Sequence, residues 1–143
     1  MAGKPGAASQ KPSYSSVMVA QEVIKRVEGG KSTVDSEIKV LAERGLIQVI
    51  GLALGSIAET RPELALSVLK FGRPEPLLIL LKAAGGSFES IRCIVRMQAE
   101  LRKARMPDVE HLSEEFEAYE LASAQQVIRF VNLRQTVESA GQG

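Results

Sequence analysis

Apolar residues along most of this chain recur at the spacing of an α-helix. From Val17 to Val137 they fall three or four positions apart, and no stretch alternates between apolar and polar residues as a half-buried strand does. Prolines and glycines divide the pattern into short segments. The pattern predicts an all-α chain of seven to eight short amphipathic helices packed as helix pairs, as a HEAT-like repeat or as an irregular bundle.

Polar capping residues and glycines indicate where the first two helices begin and end. A serine or threonine at a helix N-terminus accepts a hydrogen bond from a backbone amide of the first turn, and a glycine after the helix adopts the left-handed conformation that ends it. These signals predict a first helix from Ser15 or Ser16 to Gly29 and a second helix from Ser32 or Thr33 to Gly45.

The segment from Leu46 to Ala58 is apolar around most of its circumference, which is typical of a helix at the centre of a fold. A buried strand over Leu46 to Ile50 is the alternative, but no turn signal separates it from the residues that follow. Gly51 and Gly55 lie four residues apart in this segment. Each glycine costs about 1 kcal/mol of helix stability relative to alanine, so the pair predicts close packing by a neighbouring helix.

Prolines and serines predict the remaining helices. Pro62 and Pro74 each begin a short helix, because the amide that proline lacks has no partner within the first turn. Ser87 begins a longer helix that reaches about Arg105. Over residues 108–139 the apolar spacing fits either one bent helix or two helices, with Ser123 as the candidate cap of the second.

The composition fits one domain of ordinary globular character, with 143 residues of which 45% are hydrophobic. Residues 1–14 have little to bury and predict a flexible tail before a single helical domain over residues 15–140. One cysteine and one histidine form neither a disulfide nor a zinc site, so we expect no metal or other cofactor. The lack of a signal-like or membrane-length apolar run predicts a cytoplasmic protein with no membrane partner.

Charge is segregated along the second half of the chain, although the formal net charge is only +1. Residues 90–105 contain five basic residues and one acidic residue, and residues 108–120 contain six acidic residues and no lysine or arginine. The preferred interpretation is that the two segments pair with each other, and the alternative is that the basic helix binds phosphates. The basic candidates for an interaction surface are Arg92, Arg96, Arg102, Lys103 and Arg105.

A second copy of the chain could supply the complementary charge. A two-fold contact would set Arg92, Arg96 or Arg102 of one copy against Glu114 or Glu117 of the other. Near the C-terminus, Phe130 and Arg134 complete the set of candidate interaction residues.

Catalytic chemistry has little support in the sequence. Cys93 lies between Arg92 and Ile94, where neighbouring cations could lower a thiol pKa if the side chain were exposed, but buried cysteine is the commoner outcome. His111 is the single histidine, and we do not expect it to form a catalytic pair with Cys93. The sequence therefore predicts a protein that is not an enzyme.

Several segments resemble a family found in alphaproteobacteria. The apolar helix GLALGSIAE, the segment PEPLLILLKAAGGSF and the spacing of Tyr119, Ala124, Gln125, Arg129, Phe130 and Arg134 are similar to the C-terminal module of the domain of unknown function 2336 family. The resemblance covers about residues 36 to 138. It implies a stack of helix pairs similar to HEAT-type repeats, without established catalytic residues.

These features favour a non-enzymatic helical module for protein–protein interaction, either as a homodimer or as a regulatory adaptor. Stacked amphipathic helices present extended surfaces that typically bind other proteins or peptides. The alternative is a regulatory nucleic-acid-binding protein that uses the basic helix around residues 92–105. Nucleic acid is the less favoured partner because few aromatic residues are interleaved with the basic ones.

Overall fold

Eight α-helices and one turn of 3₁₀ helix make up the part of the chain that the structure describes, and this part contains no strand. The structure, a computed structural model, describes residues 13–71 and 73–142, apart from the side chains of Phe71 and of residues 133–142. The predicted all-α class is confirmed. The helices are α1 (Tyr14–Glu28), α2 (Val34–Glu43), α3 (Ile47–Ile57), α4 (Pro62–Phe71), α5 (Pro74–Ala84), α6 (Phe88–Arg102), α7 (Ser113–Ala118) and α8 (Leu121–Gln142), with the 3₁₀ turn at Glu110–Leu112.

The start of α1 differs from the sequence prediction. Ser13, rather than Ser15 or Ser16, is the N-cap, because its side chain accepts a hydrogen bond of 3.1 Å from the backbone amide of Ser16. Tyr14 is therefore the first helical residue and not part of the predicted tail. The rest of that tail, residues 1–12, lies outside the described residues. The cap of α2 is Thr33, one of its two predicted candidates.

The end of α6 is also earlier than predicted. The helix stops at Arg102 because Lys103 adopts the left-handed conformation, with φ of 54°, and the amide of Ala104 donates to the carbonyl of Ala99 at 2.9 Å. This arrangement is usually built with glycine, which is why no local signal marked it. Residues 104–109 are not helical, and several of them form one wall of a cavity.

Two helices, and not one bent helix, follow the 3₁₀ turn. Tyr119 has an extended backbone conformation that ends α7, and α8 begins at Leu121. Ser123 lies inside α8 and is not its cap, because the intrahelical bonds already begin with the amide of Ala124 donating to the carbonyl of Glu120 at 3.0 Å. After this break, α8 packs mainly against α5.

The helices pack around two central members, α3 and α5. As its all-round apolar pattern predicts, α3 contacts α1, α2, α4 and α5, and Ile50 and Leu54 within it are fully buried. The helix α5 contacts α8, α6 and α7. One of the stronger pairings joins α2 to α6, which three helices separate along the chain. A linear stack of neighbouring pairs lacks such a contact, so the arrangement is the irregular bundle of the two predicted alternatives.

Gly51 and Gly55 both face α4, as close packing requires, but their surroundings differ. A Cβ atom at Gly51 would lie 2.5 Å from Cδ2 and 2.7 Å from Cγ of Leu66. At Gly55 the nearest atoms, Cα of Pro62 and the carbonyl oxygen of Thr60, would be 3.4 Å away, which is an ordinary contact distance. Only the first glycine is therefore sterically required.

This difference predicts opposite effects of the same substitution. Gly51→Ala should lower the free energy of unfolding by about 1 kcal/mol. Overpacking against Leu66 costs about 1–3 kcal/mol, and the higher helix propensity of alanine offsets about 1 kcal/mol of this loss. Gly55→Ala gains the propensity without the overlap and should be neutral or stabilising. Urea unfolding of the two variants measures both values. Equal stability of the two variants would contradict the steric role of Gly51.

No helix in the described ranges is both long enough and apolar enough to cross a membrane.

Candidate functional site

A cavity of about 390 Å³ lies where the start of α5, the second half of α6 and residues 104–112 meet. It is larger than three other cavities bounded by described residues, which have volumes of about 150, 250 and 250 Å³. Its rim is basic, its floor is apolar and one amide side chain lies between them. The side chains and backbone of Arg73, Pro74, Leu77, Val95, Gln98, Ala99, Arg102, Ala104, Arg105, Pro107, Asp108, Val109, His111 and Leu112 line it.

Three arginines on the rim come from three different segments. Arg73 is the N-cap of α5 and its side chain makes no capping hydrogen bond. Arg102 is the last residue of α6, and Arg105 lies in the non-helical segment after Lys103. Arg102 donates from Nη2 to the carbonyl of Lys70 at 2.7 Å, which fixes the direction of its guanidinium. Arg73 and Arg105 have neither a hydrogen bond nor an ion pair with any described residue.

The one carboxylate in the lining, that of Asp108, offsets only one of the three arginine charges. Asp108 accepts a hydrogen bond of 3.0 Å from the amide of Glu110, the first residue of the 3₁₀ turn. The cavity therefore carries a net positive charge with donors on its rim.

The floor belongs to the main hydrophobic core. Leu77, Val95, Val109 and Leu112 are all buried members of the core cluster. Gln98 is the only polar side chain among the buried residues of this lining, with 8% of its surface exposed, and its Nε2 donates to the carbonyl of Leu69 at 2.6 Å. Because that bond fixes the amide, the orientation of its oxygen is fixed as well.

The wall formed by residues 108–112 is held from outside by Arg92. Its Nε and Nη2 donate to the two carboxylate oxygens of Glu110 at 2.8 and 2.9 Å, and Nη1 donates to Glu89 at 2.8 Å. The hydrogen bond from Arg92 holds the pKa of the Glu110 carboxyl below its ordinary value. This pairing of the basic helix with the acidic segment is the preferred interpretation of the charge pattern, and for Arg92 it is confirmed.

Phe116 holds the same wall from the inside. Its ring lies 5.9 Å from that of Phe88, and the ammonium of Lys82 sits 4.2 Å from its ring centroid. These contacts tie α7, and the 3₁₀ turn before it, to α5 and α6. The wall is therefore part of the packed fold.

The predicted interaction residues do not form one surface. Arg102 and Arg105 reach the cavity, whereas Arg96 lines a separate cavity of about 150 Å³ together with Glu43 and Glu100. Lys103 is the exposed C-cap of α6. The other predicted members are Glu114 and Glu117, exposed on α7, Phe130, exposed on α8, and Arg134, whose side chain lies outside the described residues.

Cys93 and His111 do not form a pair. Cys93 is buried and lines the smaller cavity, and burial raises the pKa of its thiol, whereas His111 lines the larger cavity. The thiol is thus in the buried environment that the sequence favoured. The described residues contain no cluster of histidine, cysteine and carboxylate side chains that could hold a metal ion.

The sequence did not predict that Arg73, Gln98 and His111 line one cavity. Arg73 directly precedes Pro74, which indicates only a helix start, and Gln98 lies on the buried, mainly apolar face of α6. A glutamine at a core position of the helical period is a signal that could have been used, because buried amides need partners. Nothing local indicates that Arg73 approaches the end of α6.

An apolar groove of about 250 Å³ lies between α4, α5 and α8 and was not predicted either. Val68, Ile79 and Val131 are among the side chains that line it. The exposed ring of Phe130 comes from the neighbouring position on α8.

Comparison of the chain with protein-family models, with curated proteins and with solved structures finds no match. The fold and the cavity therefore carry the functional argument.

Proposed function

We propose that this chain is a non-enzymatic interaction module that binds a segment of a protein partner at the arginine-rimmed cavity. The observation that carries the proposal is the combination of three rim arginines with an apolar floor in one cavity. In pockets of this kind an apolar side chain of the partner packs against the floor, and a charged group of the partner pairs with the opposite charge at the rim. The partner segment should therefore carry a negatively charged group next to an apolar side chain.

The charge distribution favours a compact anionic group over a nucleic-acid backbone. A phosphate backbone needs a continuous basic track, but Arg92 is paired with Glu110 and Glu89, and Arg96 lies beside acidic residues at a different cavity. The basic residues that remain unpaired form a local cluster at the end of α6 rather than a continuous track. A two-fold contact between copies through Arg92 is likewise disfavoured by its bonds within the chain.

The proposal includes a cytoplasmic setting, in which the buried thiol of Cys93 stays reduced. The resemblance to the domain of unknown function 2336 family stays a prediction. It agrees with the proposal in that the resemblance implies no catalytic residues.

The test is a selection of random peptides, displayed with free C-termini, on the immobilised protein. Enriched peptides are synthesised, and their affinity is measured by fluorescence polarisation. We expect the double variant Arg73→Glu/Arg105→Glu to bind them about tenfold more weakly or worse, because like charges then face the ligand. The matched control Arg61→Glu/Arg129→Glu carries the same charge change at exposed sites outside the cavity and should bind as the unsubstituted protein does.

Two results would overturn the proposal. One is the failure of any peptide to be enriched, and the other is equal binding of the enriched peptides to both double variants. Binding of duplex DNA at about 50 mM salt that is lost in the cavity variant, with no peptide enriched, would favour the nucleic-acid alternative.

A further inference from the structure

We infer that the cavity recognises the C-terminal residue of its partner, with the α-carboxylate on the rim arginines, the last backbone N–H on Gln98 and an apolar side chain on the floor. This inference rests on the proposed function and names the chemistry of the ligand. Three features of the cavity, formed by different residues, support the carboxylate, the backbone N–H and the apolar side chain in turn.

The rim provides for a carboxylate. Arg73 and Arg105 have guanidinium groups without partners among the described residues, and Arg102 keeps donors beyond the one that binds the carbonyl of Lys70. A guanidinium matches a carboxylate because its parallel N–H groups bond both oxygens at once. Bringing three like charges to one rim is unfavourable in the empty protein, and an anion removes that repulsion.

Gln98 provides for a backbone N–H. With Nε2 donating to Leu69, its Oε1 has no hydrogen-bond partner in the described part of the chain. This oxygen is not sealed inside the protein, because no fully buried polar side-chain atom of the described residues lacks a partner. Gln98 lines the cavity, so Oε1 is an acceptor at its inner edge. A ligand that satisfies it must carry a donor beside its anionic group.

The floor provides for one apolar side chain. Leu77, Val95 and Leu112 present only carbon to the cavity, and its volume of about 390 Å³ is near the lower end for ligand sites. A ligand of a single residue or slightly more fits that size. The ligand is thus short at the point where it is bound.

A C-terminal residue combines these three groups within one amino acid. An internal aspartate or glutamate carries a carboxylate but no apolar side chain on the same residue. In a phosphorylated residue the phosphate is the end of the side chain, so no apolar group of that side chain reaches past it to the floor. An N-acylated amino acid has the same chemistry as a C-terminal residue. The experiment must therefore separate a peptide from a small N-acyl amino acid.

Three small probes test the three parts of the inference. N-acetyl-L-leucine carries carboxylate, N–H and apolar side chain, N-acetyl-L-leucinamide lacks the charge, and 4-methylpentanoate lacks the N–H. We expect N-acetyl-L-leucine to shift the backbone amide signals of Leu77, Gln98 and Leu112 in a ¹⁵N-labelled protein. The amide should bind about tenfold more weakly, and 4-methylpentanoate several-fold more weakly.

Substitutions assign each loss to its residue. Arg105→Gln should weaken binding of N-acetyl-L-leucine and leave the weak binding of the leucinamide unchanged, whereas Arg61→Gln should change neither. Gln98→Met keeps the length of the side chain and should remove the advantage of N-acetyl-L-leucine over 4-methylpentanoate. Circular dichroism of each variant shows whether it is folded. If Gln98→Met fails to fold, the comparison of the two ligands on the unsubstituted protein still decides the role of the N–H.

The outcomes separate this inference from the proposed function. Equal affinity for N-acetyl-L-leucine and its amide, or enriched peptides that bind equally well with amidated C-termini, would overturn the inference and leave a peptide-binding module. Enriched peptides that bind more tightly than N-acetyl-L-leucine and lose affinity when amidated would support it. If N-acetyl-L-leucine binds as tightly as every enriched peptide, the ligand of the cavity is a small N-acyl amino acid. The proposal that the cavity binds a protein partner is then wrong.

Discussion

Phe116→Ala should lower the free energy of unfolding by about 3–5 kcal/mol, the usual cost of removing a buried phenyl ring. Only 2% of the surface of Phe116 is exposed, and the ring contacts Phe88 and Lys82. These contacts are the main inward anchor of α7, so the loss should fall on the wall of the cavity as well as on global stability. A domain of this size typically has about 5–15 kcal/mol to lose.

Phe130→Ala is the matched control, because the same residue type in α8 is 60% exposed. Its free energy of unfolding should change by no more than about 0.5 kcal/mol. Urea unfolding followed by far-ultraviolet circular dichroism measures both variants. A loss for Phe116→Ala as small as that for Phe130→Ala would contradict the packing of α7. An equally large loss for Phe130→Ala would mean that Phe130 is buried against another molecule in solution.

Phe116 also illustrates what the sequence could predict. Its position in the helical period, like those of Ile38 and Ile50, is apolar, and all three side chains are buried, because apolar periodicity directly reflects which face of a helix is buried. Pro74 likewise located the start of α5, since proline has a local preference for the first helical turn. Properties that depend on one helix and its caps were therefore predictable.

Features that depend on a left-handed residue without glycine were not predictable. Lys103 ends α6 in a conformation that lysine seldom adopts, so the pattern ran on to about Arg105. The consequence for the site is direct. Had the helix continued, Arg105 would lie on its surface and not in the segment that bounds the cavity.

The site could be predicted only in part, because it joins distant segments. Arg102 and Arg105 were candidates on charge alone, but Arg73 and Gln98 reach the same cavity only through the packing of α5 against α6. No periodicity encodes that packing. The charge pattern was informative for Arg92, whose acidic partner Glu110 is close along the chain, and uninformative for Arg96, which faces a different cavity.

A second large effect is expected at Asp35, which joins α2 to the start of α6. Its Oδ1 accepts hydrogen bonds from the backbone amide of Ser87 at 2.9 Å and from Oγ of the buried Ser90 at 2.5 Å. Asp35→Ala removes both bonds at the pairing of α2 with α6, which three helices separate along the chain. We expect it to lower the free energy of unfolding by about 2 kcal/mol at pH 7, since hydrogen bonds to a charged group contribute about 1.5–3 kcal/mol.

The effect should depend on pH in a definite direction. Partial burial by itself would raise the pKa of Asp35, but the hydrogen bonds from Ser90 and Ser87 outweigh it and hold the pKa below its ordinary value. A carboxyl whose pKa is lower in the folded state stabilises the fold above its unfolded pKa of about 3.9, and this contribution is lost as the pH falls through the folded pKa. The difference between the unsubstituted protein and Asp35→Ala should therefore be constant near neutral pH and shrink in acid.

Asp35→Asn separates the charge of this side chain from its role as an acceptor. The amide oxygen can still accept from Ser87 and Ser90, so Asp35→Asn should be more stable than Asp35→Ala at pH 7 but less stable than the unsubstituted protein. Urea unfolding at pH 7 and at about pH 3 measures the comparison, because the carboxyl of the unfolded chain, whose pKa is about 3.9, takes up its proton between these values. On lowering the pH, the gap between aspartate and asparagine should narrow, since the protonated acid and the amide are both neutral. A gap that stays constant would mean that the charge of Asp35 does not stabilise the contact between α2 and α6.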